Sequence, residues 1–444
     1  MRPAGRFGRD HESFISGEGI ATPDGKGVAM PEQNDAVTGG PTGLGSIPRQ
    51  GRHRGEDPAQ AHTLRRGWWG PTVRTVGVEE ELLIVDAGTG RPVALSERVR
   101  HRAPERLREA EGSQEGEGTP GGHVTSEMQQ LQVEIDTAPS TELGDLARDL
   151  RAWRAATGDA ATELGARVVA TGVSPLPFTG SPTSEPRYAA IVERFGLTAR
   201  EQLTCGCHVH VGVASDEEAV GVLDRIRLWL PTLLAISANS PFSRGEDTGY
   251  ASFRSQVWAR WPTVGPTDIF GSARRYHSSV ADLISTGVLL DRKMIYFDAR
   301  LSASFPTVEI RVADVCLRVE DAVLLAGLCR ALVDTAAEAW ALGREAPPVP
   351  TDLLRLATWR AGHDGVEGSL LDPTTARPRA ASDVLEDLLA HVAPALAKAG
   401  DLGHVEGRLA DVLRRGTGAR AQREVGARGD LAAVVAELGR TTLE

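Results

Sequence analysis

At 444 residues the chain is long enough for a large core and one to three domains. Its 41% hydrophobic and 25% charged residues are those of a soluble globular protein; no apolar run reaches the roughly 18 residues of a membrane span, and the start lacks the apolar segment of a secretory signal. A cytoplasmic protein without a membrane partner is expected, and a net charge of -11 argues against nucleic acid as the main partner, leaving small molecules and metal cations.

Residues 1–66 hold many Gly, Pro, Arg and Asp with little apolar periodicity, which predicts a disordered tail that can be deleted without loss; residues 67–444 are expected to form a single domain. The first strand is expected over 75–85, inside "TVGVEEELLIVDAGTG", where three consecutive glutamates interrupt apolar residues. Isolated carboxylates are costly to bury, so this cluster means a solvated edge, a metal site or basic partners. Glu79 and Glu81 share one face of that strand, whereas Glu80 points to the apolar side and should tolerate loss of its charge better. The acidic, glycine-rich stretch Glu109–Gly122 reads as a mobile loop.

A second strand is expected over 129–136, with Leu131, Val133 and Ile135 on one face and Gln130, Gln132, Glu134 and Asp136 on the other. Ser140 is a candidate N-cap for a helix carrying Leu143, Leu146, Leu150 and Trp153. In a third strand over 204–213, Cys205, Cys207, Val209 and Val211 face the core opposite Thr204, His208 and His210; a helix over 216–237 follows. A fourth strand over 305–313 sets Val308, Ile310 and Val312 against Thr307, Glu309 and Arg311, and the chain beyond residue 315 is mainly helical. Cys205, Cys207, Cys316 and Cys329 form no CxxC pair and are too few for a disulfide scaffold, so reduced thiols are expected. Strands early and helices late predict an α+β fold.

Taken singly, each charged group has an ordinary explanation: a solvated edge for the glutamates, satisfied structural histidines, a surface Glu–Arg pair. Their recurrence on four strands, each with one apolar and one charged face, predicts an antiparallel sheet whose polar side is an active site. Oxygen donors with few histidines favour Mg²⁺ or Mn²⁺ over Zn²⁺, and Mg²⁺ held by carboxylates most often binds nucleotide phosphates, which points to ATP. Neither GxxxxGK[ST] nor a GxGxxG between strand and helix occurs, so metals and arginines would have to hold the phosphates.

The segments "GVEEELLIVD", "SEMQQLQVEIDTAP", "CGCHVHVGV", "ANSPF" and "FPTVEIRVAD", in that order, resemble the carboxylate–amine ligases of the type 2 glutamate–cysteine ligase family, over about residues 74–440. The resemblance implies a glutamine synthetase and guanido kinase-like fold: a curved antiparallel sheet with helices on one side, and ATP and divalent metals on the other. It implies metal ligands at Glu79, Glu81, Glu127, Glu134 and Glu309, His208 beside metal and phosphate, and Arg311 against the transferring phosphoryl group. Glu127 and Glu134 are seven apart, so Glu127 must lie beyond a bulge or before the strand if both face the site. His210 departs from the wider group's pattern, which bears on the choice of amine or amino acid. Arg254 and Arg260 in "SFRSQVWARWP", together with Arg300, are candidates for binding the nucleotide or a substrate carboxylate, each against an even prospect of being a surface arginine. Arg360 and His363 read as ordinary structure. The implied reaction joins a carboxylate, such as the γ-carboxyl of glutamate, to an amine such as that of cysteine, in a homo-oligomer. The competing readings are a guanido-kinase-like phosphotransferase and an inactive nucleotide- or metal-binding relative.

Overall fold

The computed structural model describes residues 73–111 and 122–444, so the expected tail and most of the expected acidic loop lie outside the described residues. The architecture is α+β. Its centre is a seven-stranded sheet in which every pairing is antiparallel.

In chain order these strands are β1 (Val76–Asp86), β2 (Gly122–Ser126), β3 (Gln132–Thr137), β4 (Ala166–Val169), β5 (Gly206–Gly212), β6 (Ala299–Leu301) and β7 (Thr307–Asp314). Their spatial order is β2-β3-β1-β5-β7-β6, and β4 continues the β5 edge along the second half of β1. The helices that matter to the sheet are α1 (Ser96–Glu111), α2 (Leu143–Thr162), α3 (Asp216–Ile226), α4 (Leu230–Ser237) and α5 (Val319–Ala341). Val76, Val78, Cys207, Val209, Val308 and Ile310 form one continuous core with Leu324 and Leu328 of α5. Leu82, Ile84, Val133 and Ile135 form a second core with Trp153 of α2 and Val99, Ala103 and Leu107 of α1. One face of the sheet is therefore sealed by helices, and the alternation of β-structure leaves the other face to polar residues. All four cysteines are buried free thiols. Among the described residues no helix is long and apolar enough to cross a membrane.

Several local expectations change. The helix expected over 216–237 is two helices, because Pro231, lacking an N–H, sits in the first turn of α4 and starts a new element there. Ser140 does not cap α2. Its Oγ accepts from Glu142 N and donates to Glu142 O, both at 3.0 Å, closing a turn just before the helix. The expected strand 129–136 is shorter, with β2 folding back on it as a hairpin partner. The three- and four-residue strands β6 and β4, and the arginine-rich α1 with Pro104 inside it, are too short or too polar to show a periodic signal.

Candidate active site

The antiparallel register stacks the polar face into cross-strand rows. One row runs Gly77, His210, Glu309, Arg300 across β1, β5, β7 and β6. The next runs Asp136, Glu79, His208 across β3, β1 and β5. There the register of β7 shifts: Cys207 pairs with Ala313 but Val209 with Ile310, so two residues, Arg311 and Val312, stand against His208 alone. This is a bulge, and it keeps Arg311 beside His208 while turning Asp314 to the polar side. Val312 stays in the core with Val308 and Ile310 as expected, and beyond it the bulge adds Ala313 to the core side. A further row holds Thr125, Glu134 and Glu81, whose carboxylate accepts the Gly206 N–H at 2.6 Å. Glu127 directly follows β2, before β3, and from there its carboxylate reaches the same cluster.

These rows bring together the expected Glu79, Glu81, Glu127, Glu134, Glu309, His208 and Arg311. Ligand atoms of Glu81, Glu127 and Glu134 lie within 4.8 Å of one another, as do those of Glu79, Glu134 and His208, and those of Glu79, His210 and Glu309. Glu79 Oε2 is 3.1 Å from His208 Nδ1 and Glu79 Oε1 is 3.1 Å from His210 Nε2. His210 is thus a full member of the cluster, and the alternating His-Val-His of β5 was the signal for it. Glu309 differs from the other carboxylates. It accepts two hydrogen bonds from Arg300, at 2.8 and 3.0 Å, and one from Arg311. Arg300 is committed to that pairing.

Arg254 is buried at the same end of the face as Glu81 and Gly206. Its backbone N–H donates to Ser240 Oγ at 3.0 Å, and Ser240 in turn donates to Asp314 Oδ2 at 2.6 Å, so the "ANSPF" turn and the bulged end of β7 hold it in place. Arg260 stays outside the cluster. It is half-exposed and sits 3.3 Å from Glu201, because the short helix that begins at Arg254, Arg254–Trp258, ends before it. Arg360 and His363 pair with Asp364, and His363 stacks on Trp359 with ring centroids 5.0 Å apart, away from the sheet rows.

Crowding shapes the electrostatics. Burial pushes Glu127 up to about 7, with the neighbouring Glu81 carboxylate adding to the shift. Burial, then repulsion from Glu127, holds Glu134 well above the usual carboxylate range, and burial raises Glu81 against the pull of Arg254. Glu79 goes the other way: burial would raise it, but hydrogen bonds to His208 and His210 hold it well below the usual range. His208 is lowered to about 4 by burial and by Arg311, which keeps its ring neutral near pH 7. Carboxylates forced together without a counter-charge are unfavourable, and a hard divalent cation removes that cost. The donor set, oxygen-rich with two imidazoles and no thiolate, fits Mg²⁺ or Mn²⁺.

Known proteins share this arrangement of segments. The profile of glutamate–cysteine ligase family 2 matches residues 75–437. A protein of Streptomyces avermitilis, provisionally named glutamate–cysteine ligase 2-1, is 49% identical over 372 residues, covering 83% of this chain and 99% of that protein. The provisionally named glutamate–cysteine ligase 2 of Streptomyces coelicolor is 49% identical over 371 residues, with the same coverage. Among solved structures, the glutamate–cysteine ligase of Francisella tularensis in complex with AMP aligns with a TM-score of 0.59 at 14% identity, over 84% of this chain and 89% of that one. A bifunctional glutathione synthetase from Pasteurella multocida aligns with a TM-score of 0.60 at 17% identity, over 86% of this chain and 54% of that one. At such identities the structural likeness speaks for the fold alone.

Proposed function

The chain belongs to glutamate–cysteine ligase family 2, and from this premise we propose that it is an ATP- and Mg²⁺-dependent ligase joining the γ-carboxyl of glutamate to the amine of cysteine. Its class is that of an ATP-dependent carboxylate–amine ligase. The observation that carries the reading is the convergence of four crowded carboxylates, a neutral His208 and two buried arginines, Arg254 and Arg311, on one sheet face.

A carboxylate is a poor electrophile, so amide formation needs activation first. The γ-carboxylate oxygen attacks the γ-phosphorus of ATP, the bond to the bridging oxygen breaks, and ADP leaves an acyl phosphate. The amine then attacks the acyl carbon, the C–O bond to phosphate breaks, and the nitrogen loses a proton. Phosphoryl transfer asks little covalent help of a protein but much positioned positive charge. Mg²⁺ or Mn²⁺ held by Glu79, Glu81, Glu127 and Glu134, with Glu309 as a further ligand, would supply much of that charge. Arg311 adds a guanidinium that cannot be deprotonated, oriented by Glu309 and standing opposite His208. His208, through Nδ1, fixes the rotamer of Glu79.

The purified chain, given ATP, Mg²⁺, L-glutamate and L-cysteine, should release ADP and phosphate in equal amounts only when both amino acids are present, with a panel of amines defining the acceptor. ADP formed without any amine, together with a stable phosphorylated product, would replace this reading by a phosphotransferase. Binding of Mg·ATP with no turnover on any amine would replace it by an inactive relative.

A further inference from the structure

Eight large apolar side chains are exposed among the described residues, and three of them, Leu353, Leu356 and Trp359, fall at intervals of three along one helix. That helix, α6 (Thr351–Asp364), turns Leu354, Ala357 and Ala361 inward, where it packs on α4. With 3.6 residues per turn, Asp352, Leu353, Leu356, Trp359, Arg360 and His363 share another side, within an arc of about 120°. Scattered apolar residues on a surface need no explanation, but a contiguous stripe of them marks an interaction surface. This stripe is held rigid. Trp359 stacks on His363 with an interplanar angle of 15°, and Tyr250 stands edge-on to both rings, at centroid distances of 6.2 and 5.0 Å. Trp359 therefore loses little side-chain freedom when something covers it, which suits an aromatic anchor at an interface.

The charges beside the stripe identify what covers it. The Asp352 side chain is 91% exposed, and its ion pair is a loose one with Arg355 at 3.6 Å. Arg360 gives Nη1 to Asp364 and Ser369, while its Nε and Nη2 meet no acceptor among the described residues. Asp352 and Arg360 each stand four residues from Leu356, on either side of it, and Leu353 and Trp359 each stand three. A twofold axis at Leu356 that relates two antiparallel copies of α6 therefore sets Asp352 toward the partner subunit's Arg360 and Leu353 toward the partner's Trp359, with Leu356 against its own copy. Parallel copies would instead oppose aspartate to aspartate and arginine to arginine, and would align the two helix dipoles unfavourably.

We propose that the exposed face of α6 is an isologous interface whose partner is a second copy of this chain, with its twofold axis at Leu356. Such a dimer is independent of the ligase reading, and no residue of the face belongs to the carboxylate cluster. The helix meets the active site only through its C-terminal end, where the Ser252 N–H donates to Gly362 O at 2.8 Å and the Ala251 N–H to His363 O at 3.1 Å, just ahead of Arg254. One helix face against another is a small interface, so association should depend on concentration.

The test is sedimentation velocity of the full chain from about 1 to about 100 µM, the range in which small interfaces dissociate. Wild type should sediment as a dimer at the upper end. Leu356→Asp and Leu356→Arg each bring like charges together at the axis and should weaken dimerisation about a hundredfold or more, leaving monomers with an unchanged circular dichroism spectrum. Leu356 is 57% exposed, so both variants should fold. An equimolar mixture of the two should recover the dimer, because a residue that meets its own copy then faces the opposite charge. A wild-type chain that stays monomeric at about 100 µM would overturn the proposal and give the stripe to a different partner. Dimerisation of both variants with the wild-type constant would overturn it by placing the interface elsewhere. A mixture no more associated than its components would overturn the axis at Leu356.

Discussion

The two faces of β1 carry the same residue in opposite circumstances. Glu79 and Glu81 stand on the polar face, where Glu79 is held by two histidines and Glu81 is crowded by Glu127 and Glu134. Glu80 stands on the helix-facing side with no exposure at all, and both its oxygens accept from Arg154 of α2, at 2.7 and 2.8 Å. Arg154 also donates to the carbonyls of Cys316, Leu317 and Thr442, so one ion pair ties the sheet to α2, the segment after β7 and the C-terminal helix. The difference teaches that a buried carboxylate has two ways to be tolerated. It can be neutralised permanently by a fixed cation, or it can be left short of a counter-charge where an exchangeable one belongs.

The largest expected effect falls on the side expected to be tolerant. Glu80→Gln strands the Arg154 charge in a dry interior and should cost about 3–5 kcal/mol of stability, seen as a lower denaturation midpoint, while the folded fraction keeps its turnover. Replacing both partners with apolar residues, Glu80→Met with Arg154→Leu, should recover most of that loss. A Glu80→Gln protein as stable as wild type would break the comparison. The expectation that Glu80 tolerates loss of charge is therefore corrected for stability: facing away from the site, it faces an arginine instead of open core.

On the other face the effect should be on rate. Glu79→Gln and Glu81→Gln should each lower kcat by about a hundredfold or more, because a ligand to transition-state charge is lost. Their stabilities should separate. Glu81→Gln relieves a crowded carboxylate and should hold or raise the melting temperature in EDTA, whereas Glu79→Gln gives up two histidine partners and should lower it modestly. Wild-type turnover in both variants across a Mg²⁺ titration would sink the metal role.

Proton linkage sharpens the same contrast. Glu127 titrates at about 7 in the fold against an ordinary 4.5, so between those values the folded chain binds more protons than the unfolded one. In the metal-free protein Glu127 should therefore contribute a loss of stability as pH rises from 4.5 to 7, with a slope of at most about 1.4 kcal/mol per pH unit, opposed by His208, whose lowered value contributes a gain over part of the same interval. Between pH 5 and pH 7.5 in EDTA, urea midpoints should fall more, or rise less, in wild type than in Glu127→Gln, and saturating Mg²⁺ should remove the difference. The same pH dependence in wild type and Glu127→Gln would contradict it. The smallest effect is expected at Arg260, paired with Glu201 at the surface: Arg260→Ala should change stability by less than about 1 kcal/mol and leave kcat and KM within about twofold. A large rise in the KM for ATP would bring it back into the site.

Much of the polar face was legible before any coordinates. The alternation in "GVEEELLIVD", "CHVHVG" and "TVEIR" assigns Glu79, Glu81, His208, His210, Glu309 and Arg311 to one side, and the odd spacing of Glu127 and Glu134 requires Glu127 to lie off the strand, where it is found. What escaped had weak or misleading local signals. Arg300 was legible as a candidate ligand-binding arginine, but its pairing with Glu309 was not, because it lies on a strand of three residues. The bulge that turns Asp314 inward leaves no trace in composition, and Arg254 and Arg260, six residues apart in one segment, look equivalent until the helix that begins at Arg254 ends at Trp258 and leaves Arg260 outside.

Which residues share a face was settled by the sequence itself, because the period of a strand is a local property of the backbone and needs no partner to define it. Which charge each of those residues meets was decided only by the tertiary structure. Arg154 lies 74 positions from Glu80, and Glu309 lies 99 from His210 in sequence but beside it in the sheet. Coulomb energy depends on separation in space and on the water excluded between the charges, and neither quantity exists until the strands are in register and the helices have covered one side.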